Sequence, residues 1–555
     1  MNNKSIKQIL FAGMVSCGIT AGLTACSDWN DHYEGAAGGG VASESLWQQL
    51  KADPQLSDFC EVLEQTKLYR MHKKTPVSYA DILSSGQSFT VMAPKNGTFN
   101  KDSLLQLVQT VSGDSSVEKS FVQNHITRSL VSSSPNATKM LMLNLKFQTM
   151  ENGKVDDVLI SESKFNIKAS NGVLHVLEHA LPYKHNLYEL LCDNPQLSVI
   201  GENIRRFNED VFDPDASVSN GVVDGVPIYV DSVVYERNRL LNAIGYLKDE
   251  DSTYLVVVPT ADGWNEAYNE VSQYFKYDES IDKRDSLQQF YTMSALMEDA
   301  VFNMTDQKVI TDSLLSVPYI NTLHGYAKGK KVYHVFYKPF EPGGILYGAQ
   351  PLQCSNGTLY TTPKWSFNPV DTYFKEIFIE GEDTYLLYDY DKCTYNVRTV
   401  TGDSISNNKY LRINYVNATQ NWTVNFQLNN TLSGSYDIYA VLLPKSVYDQ
   451  DNPDMRPCKF KAFLSYVDEK GKKVDSYACQ TQEGKAEFVS DPERVDTILL
   501  AKDFKFPACN YGQSNMNYSI KIQSSITARQ TSQYAREMFL DCIYLRPHNS
   551  KSEEQ

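Results

Sequence analysis

The sequence predicts an α+β protein: two tandem copies of a module mixing short helices with β-branched strands, then a C-terminal all-β, jelly-roll-like sandwich. Three observations predict it. Landmarks near the N-terminus recur, in the same order, in the middle of the chain. After Pro369 the hydrophobic period becomes the two-residue alternation of strands. The 555 residues, 42% apolar with 35 Tyr, suffice for more than two domains, and beyond its first residues the chain has no apolar run long enough for a bilayer.

Residues 1–25 read as a secretory signal. Lys4 and Lys7 form a positive start, and Ile9 to Leu23 is apolar or small and uncharged. The run closes with Leu23-Thr24-Ala25-Cys26, which resembles a bacterial lipobox, in which the Cys thiol takes a diacylglycerol and then becomes the N-terminus. Residues 26–43 follow as a tether. Asp28, Asp31 and Glu34 resemble the acidic export signal of surface lipoproteins of the Bacteroides group, and Gly35-Ala36-Ala37-Gly38-Gly39-Gly40 is a flexible spacer. Together these imply a lipid at Cys26 holding the chain on the outer membrane, facing the medium.

The net charge is −15, and −17 once Lys4 and Lys7 leave with the signal. Nucleic acid is thereby excluded as a partner, because phosphate binding needs a concentrated cationic face. Apart from Cys17 and Cys26, eight cysteines are scattered without CxxC spacing, so no zinc site is suggested. Cys393, Cys458, Cys479, Cys509 and Cys542 crowd the last third, which in an exported chain leaves room for a disulfide of undetermined pairing.

The repeat has three landmarks. Leu46-Trp47-Gln48-Gln49-Leu50-Lys51-Ala52-Asp53-Pro54 is echoed by Leu187-Tyr188-Glu189-Leu190-Leu191-Cys192-Asp193-Asn194-Pro195, a helix spacing with an x-Pro stop. Phe89 to Pro94 matches Tyr254 to Pro259 as a strand ending in Pro. Ser170-Asn171-Gly172-Val173-Leu174-His175 matches Ser355-Asn356-Gly357-Thr358-Leu359-Tyr360. In the first copy, residues 44–183, the Phe89–Phe99 stretch FTVMAPKNGTF, the Val122–Ile126 stretch with His125, and the Asn171-Gly172 strand with His175 resemble the three signatures of the fasciclin (FAS1) domain. The resemblance implies a β-sandwich wedge with packed helices, in which Pro94, His125, Asn171, Gly172 and His175 are structural motif positions, and a non-enzymatic adhesion role. The second copy, residues 187–368, keeps the Pro259 turn. It has no His between Met297 and Asn303, carries Tyr360 where the first has His175, and gains an insertion around Asp213 to Tyr235 that reads as a loop or hairpin.

From 369 to 549 short strands alternate, as in Trp422 to Leu428 and Tyr436 to Leu443. The last strand, Met538 to Pro547, resembles the closing strand of galactose-binding-like jelly rolls. Carbohydrate binding there is an inference by analogy.

The candidate chemistry is sparse. His175-Val176-Leu177-Glu178-His179 spells a zinc-protease motif, but that chemistry needs a helix, where the two His stack one turn apart. On a strand they would share a face roughly 13 Å apart, too far for one metal. His125 reads as a buried imidazole satisfying backbone groups. Asp449-Gln450-Asp451-Asn452-Pro453-Asp454 and Asp213-Pro214-Asp215 read as solvated turns, with calcium the alternative, since neither has the Gly or distal Glu of an EF-hand loop. Trp365, Tyr360 and Trp422 are candidates for a glycan-stacking platform, against cross-strand pairing as the commoner fate. An Asp-Ser or Asp-Thr pair followed by an aliphatic residue recurs six times and resembles a bacterial O-glycosylation sequon.

The sequence therefore predicts no enzyme and no cofactor, but a lipid-anchored surface protein that binds an extracellular protein or glycan. The alternative is an accessory lipoprotein of a SusC/SusD-type uptake complex with a TonB-dependent transporter; a polysaccharide-active enzyme, which would need paired carboxylates across a cleft, ranks behind both. Cys26→Ala is expected to abolish labelling by a fatty-acid analogue, and label that persists refutes the anchor.

Overall fold

The computed structural model describes residues 43–70, 73–223, 226–305, 312–315, 319–321, 330–332, 334–401, 405–513 and 517–548. Cys26, the leader and the glycine spacer lie outside them. The chain divides into two compact units, residues 1–183 and 184–555. Among the described residues no helix is long and apolar enough to cross a membrane.

The first unit is built on two parallel strands, Phe89–Pro94 and Gly172–Leu177, paired Phe89 to Gly172 through Pro94 to Leu177. Ile126–Thr127 and Ile167–Ala169 flank them in a four-stranded sheet. Every residue of Phe89–Pro94 is buried, because both faces of the sheet are covered. Side chains alternate across a strand. Val91, Ala93, Leu174 and Val176 accordingly meet Leu46, Leu50, Phe59 and Leu63 of the helices on one face. Met92 and Leu177 meet Met140, Met142, Met150 and Val155, mostly from a second, antiparallel sheet, on the other.

The sheet is tied to its first helix by one side chain. The Asn171 Oδ1 accepts the backbone N–H of Leu46, at 2.7 Å, and its Nδ2 donates to the carbonyls of Leu83 and Ser85, at 2.9 and 2.7 Å. Leu46 opens the helix Leu46–Ala52, which Ser45 and Gln48 cap reciprocally. Gly172 follows with φ of +153°, and a Cβ there would fall 1.9 Å from the Phe89 carbonyl oxygen, so only glycine lets the strands pair this closely.

The second unit repeats this plan. Tyr254–Pro259 and Gly357–Thr362 run parallel in the same register, Tyr254 to Gly357 through Pro259 to Thr362, flanked by Val301–Asn303 and Gln350–Cys354. Asn356 accepts from Leu187 N–H at 2.9 Å and donates to Leu247 and Asp249 carbonyls at 3.0 and 2.8 Å, and Gly357 has φ of +149°. The insertion is a long hairpin, Asn208–Val223 against Val226–Asn238, so it extends beyond the span read from composition.

From Ile377 onward the described elements are strands joined by loops and short 3-10 turns, forming two six-stranded sheets. Trp422, Val424, Phe426 and Leu428 alternate inward from one sheet, and Ile438, Ala440, Ile543 and Leu545 from the other. This interior is continuous with that of residues 187–301: a single core includes Leu187, Trp264 and Leu296 together with Phe426, Phe460 and Leu540. Backbone bonds stitch the junction, with Cys509 N–H donating to Lys276 O at 2.8 Å, Ser433 to Tyr274 at 2.9 Å and Glu279 to Glu469 at 2.9 Å.

The disulfide left open for the last third is not formed: Cys393, Cys458, Cys479, Cys509 and Cys542 are free, buried thiols. They are spent on packing, and burial pushes Cys479 and Cys509 up to about 12, which keeps them protonated. Asn171→Ala and Asn356→Ala, each removing three hydrogen bonds of which two are buried, are expected to cost about 3 kcal/mol in their own unit. Urea titration checks this, as a lower midpoint at unchanged slope, whereas a loss below about 1 kcal/mol would contradict the structural role.

Candidate functional site

The motif residues of the first unit do not form a surface site. Pro94 ends its strand in the interior. His125 is fully buried; its Nδ1–H donates to the Phe121 carbonyl at 2.7 Å, and its Nε2 accepts from Leu181 N–H at 2.9 Å. His175, also fully buried, donates from Nε2 to the Val131 carbonyl at 3.0 Å and accepts from Asn166 N–H at Nδ1. Each ring is a neutral clamp, and a proton added to the accepting nitrogen would face a backbone N–H. Burial therefore lowers both, His125 to about 4.

The reading of His175 and His179 on one strand is corrected. The strand ends at Leu177, and Glu178 and His179 lie in the bend beyond it, where Glu178 pairs with Lys95 at 2.6 Å. The calcium alternatives have their oxygens engaged locally. Asp449 accepts from the amides of Asp451 and Asn452, Asp213 from that of Asp215, and Asp454 pairs with Lys445 and Arg456. Among the described residues no group of three His, Cys, Asp or Glu is arranged to hold a metal ion.

The three platform candidates are each packed against neighbours. Trp422 is a core residue, 1% exposed, its indole N–H bonded to the Arg536 carbonyl at 2.7 Å. Half-buried Trp365 packs on Phe367 and Tyr373, and Tyr360 on Phe340. Another group of aromatic rings lies elsewhere.

It lines a cavity of about 600 Å³ in the second unit, where residues 239–299 meet the sheets of the sandwich. The helix Arg284–Met297 contributes Phe290, Tyr291 and Ser294, one turn of one face; Tyr373, Tyr436 and Tyr511 come from the other side. Ring centroids lie 5.1 Å apart for Tyr291 and Tyr511, 5.6 Å for Phe275 and Tyr511, and 5.3 Å for Phe290 and Tyr291. The Tyr277 hydroxyl fixes this wall from behind by donating to the Tyr511 carbonyl at 2.8 Å.

A charged group closes one end of the cavity. By strand register Ala300 and Asp299 occupy the places of His125 and Asn124. Asp299 meets the Nδ1 of His334, and the Lys375 ammonium sits on its Nε2. Burial lowers Lys375 against the pull of Asp299 and Glu298. Glu298, the next wall residue, has no side-chain hydrogen bond or ion pair among the described residues. Burial, and then the neighbouring Asp299 charge, push it up to about 7 against the opposing effect of Lys375.

Sequence reasoning missed this site because its parts lie on segments more than 200 residues apart. The available signals were the consecutive acids Glu298 and Asp299 in the stretch that had lost its His, and the aromatic pairs Phe290-Tyr291 and Tyr373-Phe374.

Residues 54–183 match the Fasciclin domain family. No curated protein matches the chain. Among solved structures it is similar to a FAS1 domain pair from the insect cell adhesion molecule Fasciclin I, at 12% identity over 57% of this chain and 98% of that one, with a TM-score of 0.19. A family 35 carbohydrate binding module from Clostridium thermocellum aligns at 11% identity over 31% of this chain and 99% of its own, with a TM-score of 0.18. A family 22 module of Clostridium thermocellum Xyn10B aligns at 10% over 29% and 94%, with a TM-score of 0.17. Likenesses this slight leave the binding chemistry to this chain's own residues.

Folding with His125 neutral stabilises the first unit above its unfolded value of 6.5, and that stability is lost as pH falls through 6.5 towards about 4. The full loss is about 3 kcal/mol. His125→Gln is expected to flatten the fall in the unit's urea midpoint between pH 7 and 4.5; an unchanged slope would show that another group carries it.

Proposed function

We propose, on the premise that residues 54–183 form a fasciclin domain, that this protein is a non-catalytic binding protein, lipid-anchored at Cys26 on the outer face of the outer membrane. The second, divergent fasciclin copy and the terminal sandwich together form its ligand site. The first fasciclin domain is a support and adhesion module. A small ligand, of which a glycan is the best fit, sits in the cavity walled by Phe275, Phe290, Tyr291, Tyr373 and Tyr511.

The single observation that carries this reading is the cavity itself: about 600 Å³, walled by aromatic rings and closed by a carboxyl with no bonding partner among the described residues. Ligand sites combine a large apolar lining with a few convergent polar groups. Sugar rings present apolar C–H faces that stack on aromatic side chains, and their hydroxyls would find Asn242, Ser294 and Asn430 along the wall. Of the other charges on the wall, Asp299 and Lys375 are committed to His334 and Glu376 to Arg546.

The test is a glycan and matrix-protein array probed with residues 41–555, repeated with Tyr291→Ala. The selected ligand is expected to bind at least about tenfold more weakly to the variant, the loss of one stacking contact. A ligand that ignores Tyr291→Ala but is lost on altering the first unit's surface would place the site in the fasciclin domain instead. Turnover of an array glycan would overturn the non-catalytic reading.

A further inference from the structure

We propose that the cavity of the second unit selects a ligand bearing an ammonium group, held between the Glu298 carboxylate and the aromatic wall. The inference rests on the reading of this cavity as the binding site and names the chemistry it selects.

Two independent features of the wall converge on it. The first is charge. Glu298, Asp299, Lys375 and Glu376 line the cavity. Asp299 and Lys375 share His334, and Glu376 is paired with Arg546 at 2.5 Å. Glu298 alone is left without an ion pair or side-chain hydrogen bond among the described residues. Glu298 is half-buried. A carboxylate held against low-dielectric walls and a second carboxylate without a partner is disfavoured as an anion, and it relieves that either by taking a proton or by meeting a cation. The rise of Glu298 to about 7 is the first solution. An ammonium brought by the ligand is the second, and it restores the ionised form.

The second feature is the ring geometry. Tyr291, Tyr511 and Phe275 turn adjoining rings to one another at 5.1 to 6.2 Å, with interplanar angles of 76° and 89° for the two pairs involving Tyr511, so the walls meet as a corner rather than a flat stack. An edge-to-face pair uses one negative face internally, and the ring faces of Tyr291 and Tyr511 that line the cavity present the negative side of the quadrupole, which attracts an organic cation. Arg239 already covers Phe290 at 4.5 Å. Acidic sugars are disfavoured by the same wall, because a uronic or sulfated group would add a further negative charge beside Glu298 and Asp299.

Calorimetric titration of residues 26–555 with glucosamine, N-acetylglucosamine and glucose separates the alternatives, since the first alone carries a free amine. Glucosamine is expected to bind about tenfold more tightly than either neutral sugar, and Glu298→Gln, which keeps the shape, to erase that difference. Choline and putrescine form a second arm: tighter binding of either than of glucosamine places the ammonium on a non-sugar ligand and supports the same chemistry. Neutral sugars binding as well as glucosamine, or a preference that survives Glu298→Gln, overturns the inference. So does a lack of binding by all three ammonium probes at millimolar concentration; an array ligand lost in Tyr291→Ala would then still stand for the cavity. Ammonium binding untouched by Tyr291→Ala instead refutes the cavity as its place.

Discussion

Both units depend on one asparagine placed before a glycine. An asparagine amide offers one acceptor and two donors in a plane, and at 171 and 356 all three are used to join the start of a helix, the end of another helical segment or its following turn, and the entrance to the central parallel strands. The glycine then lets the partner strand's carbonyl come within a distance that any Cβ would block. Because a parallel pair cannot be closed by a hairpin, the two strands arrive from distant parts of the chain, and something must fix their register. The amide and the missing side chain do so at the first paired residues, Phe89 with Gly172 and Tyr254 with Gly357.

With register fixed, the rest of each module is free to change. The first unit keeps His125 and His175 as neutral clamps beneath its strands. In the second, Ala300 and Tyr360 stand at those positions, and the adjoining Asp299 makes a different network with His334 and Lys375. The same stretch of chain, a helix leading into a short edge strand, is a sealed interior in one unit and a cavity wall in the other. What differs is the neighbour. The helix Arg284–Met297 faces Tyr373, Tyr436 and Tyr511 from the sandwich side, and the apolar core runs through both without a break. A buried junction of this kind ties the shape of the cavity to the packing of the whole second unit.

Much of the fold was legible because its determinants are local. Helix caps such as Ser45 with Gln48, Pro-terminated apolar strands and the Asn-Gly pairs are written in consecutive residues, and the repeat made them visible twice. The switch to alternating strands after Pro369 was legible for the same reason. Burial was not. Trp422 reads as a stacking residue in isolation, yet its indole N–H is consumed by the Arg536 carbonyl more than a hundred residues away. His179 reads as strand because it follows His175, but the strand ends at Leu177 and Lys95 draws Glu178 aside. The cavity was the least legible feature, since Phe275, Tyr291, Tyr373 and Tyr511 become neighbours only when the module and the sandwich fold on one core.

The central claim is that ligand recognition belongs to the second unit rather than to the fasciclin domain of the first. Hydrogen exchange of the full mature chain, with and without a saturating array-selected ligand, addresses it directly, because amides are read in both units at once. Slowed exchange is expected in residues 290–299, 372–377 and 430–436, with residues 43–183 unchanged. Slowing confined to residues 43–183, with those three segments unaffected, would contradict it.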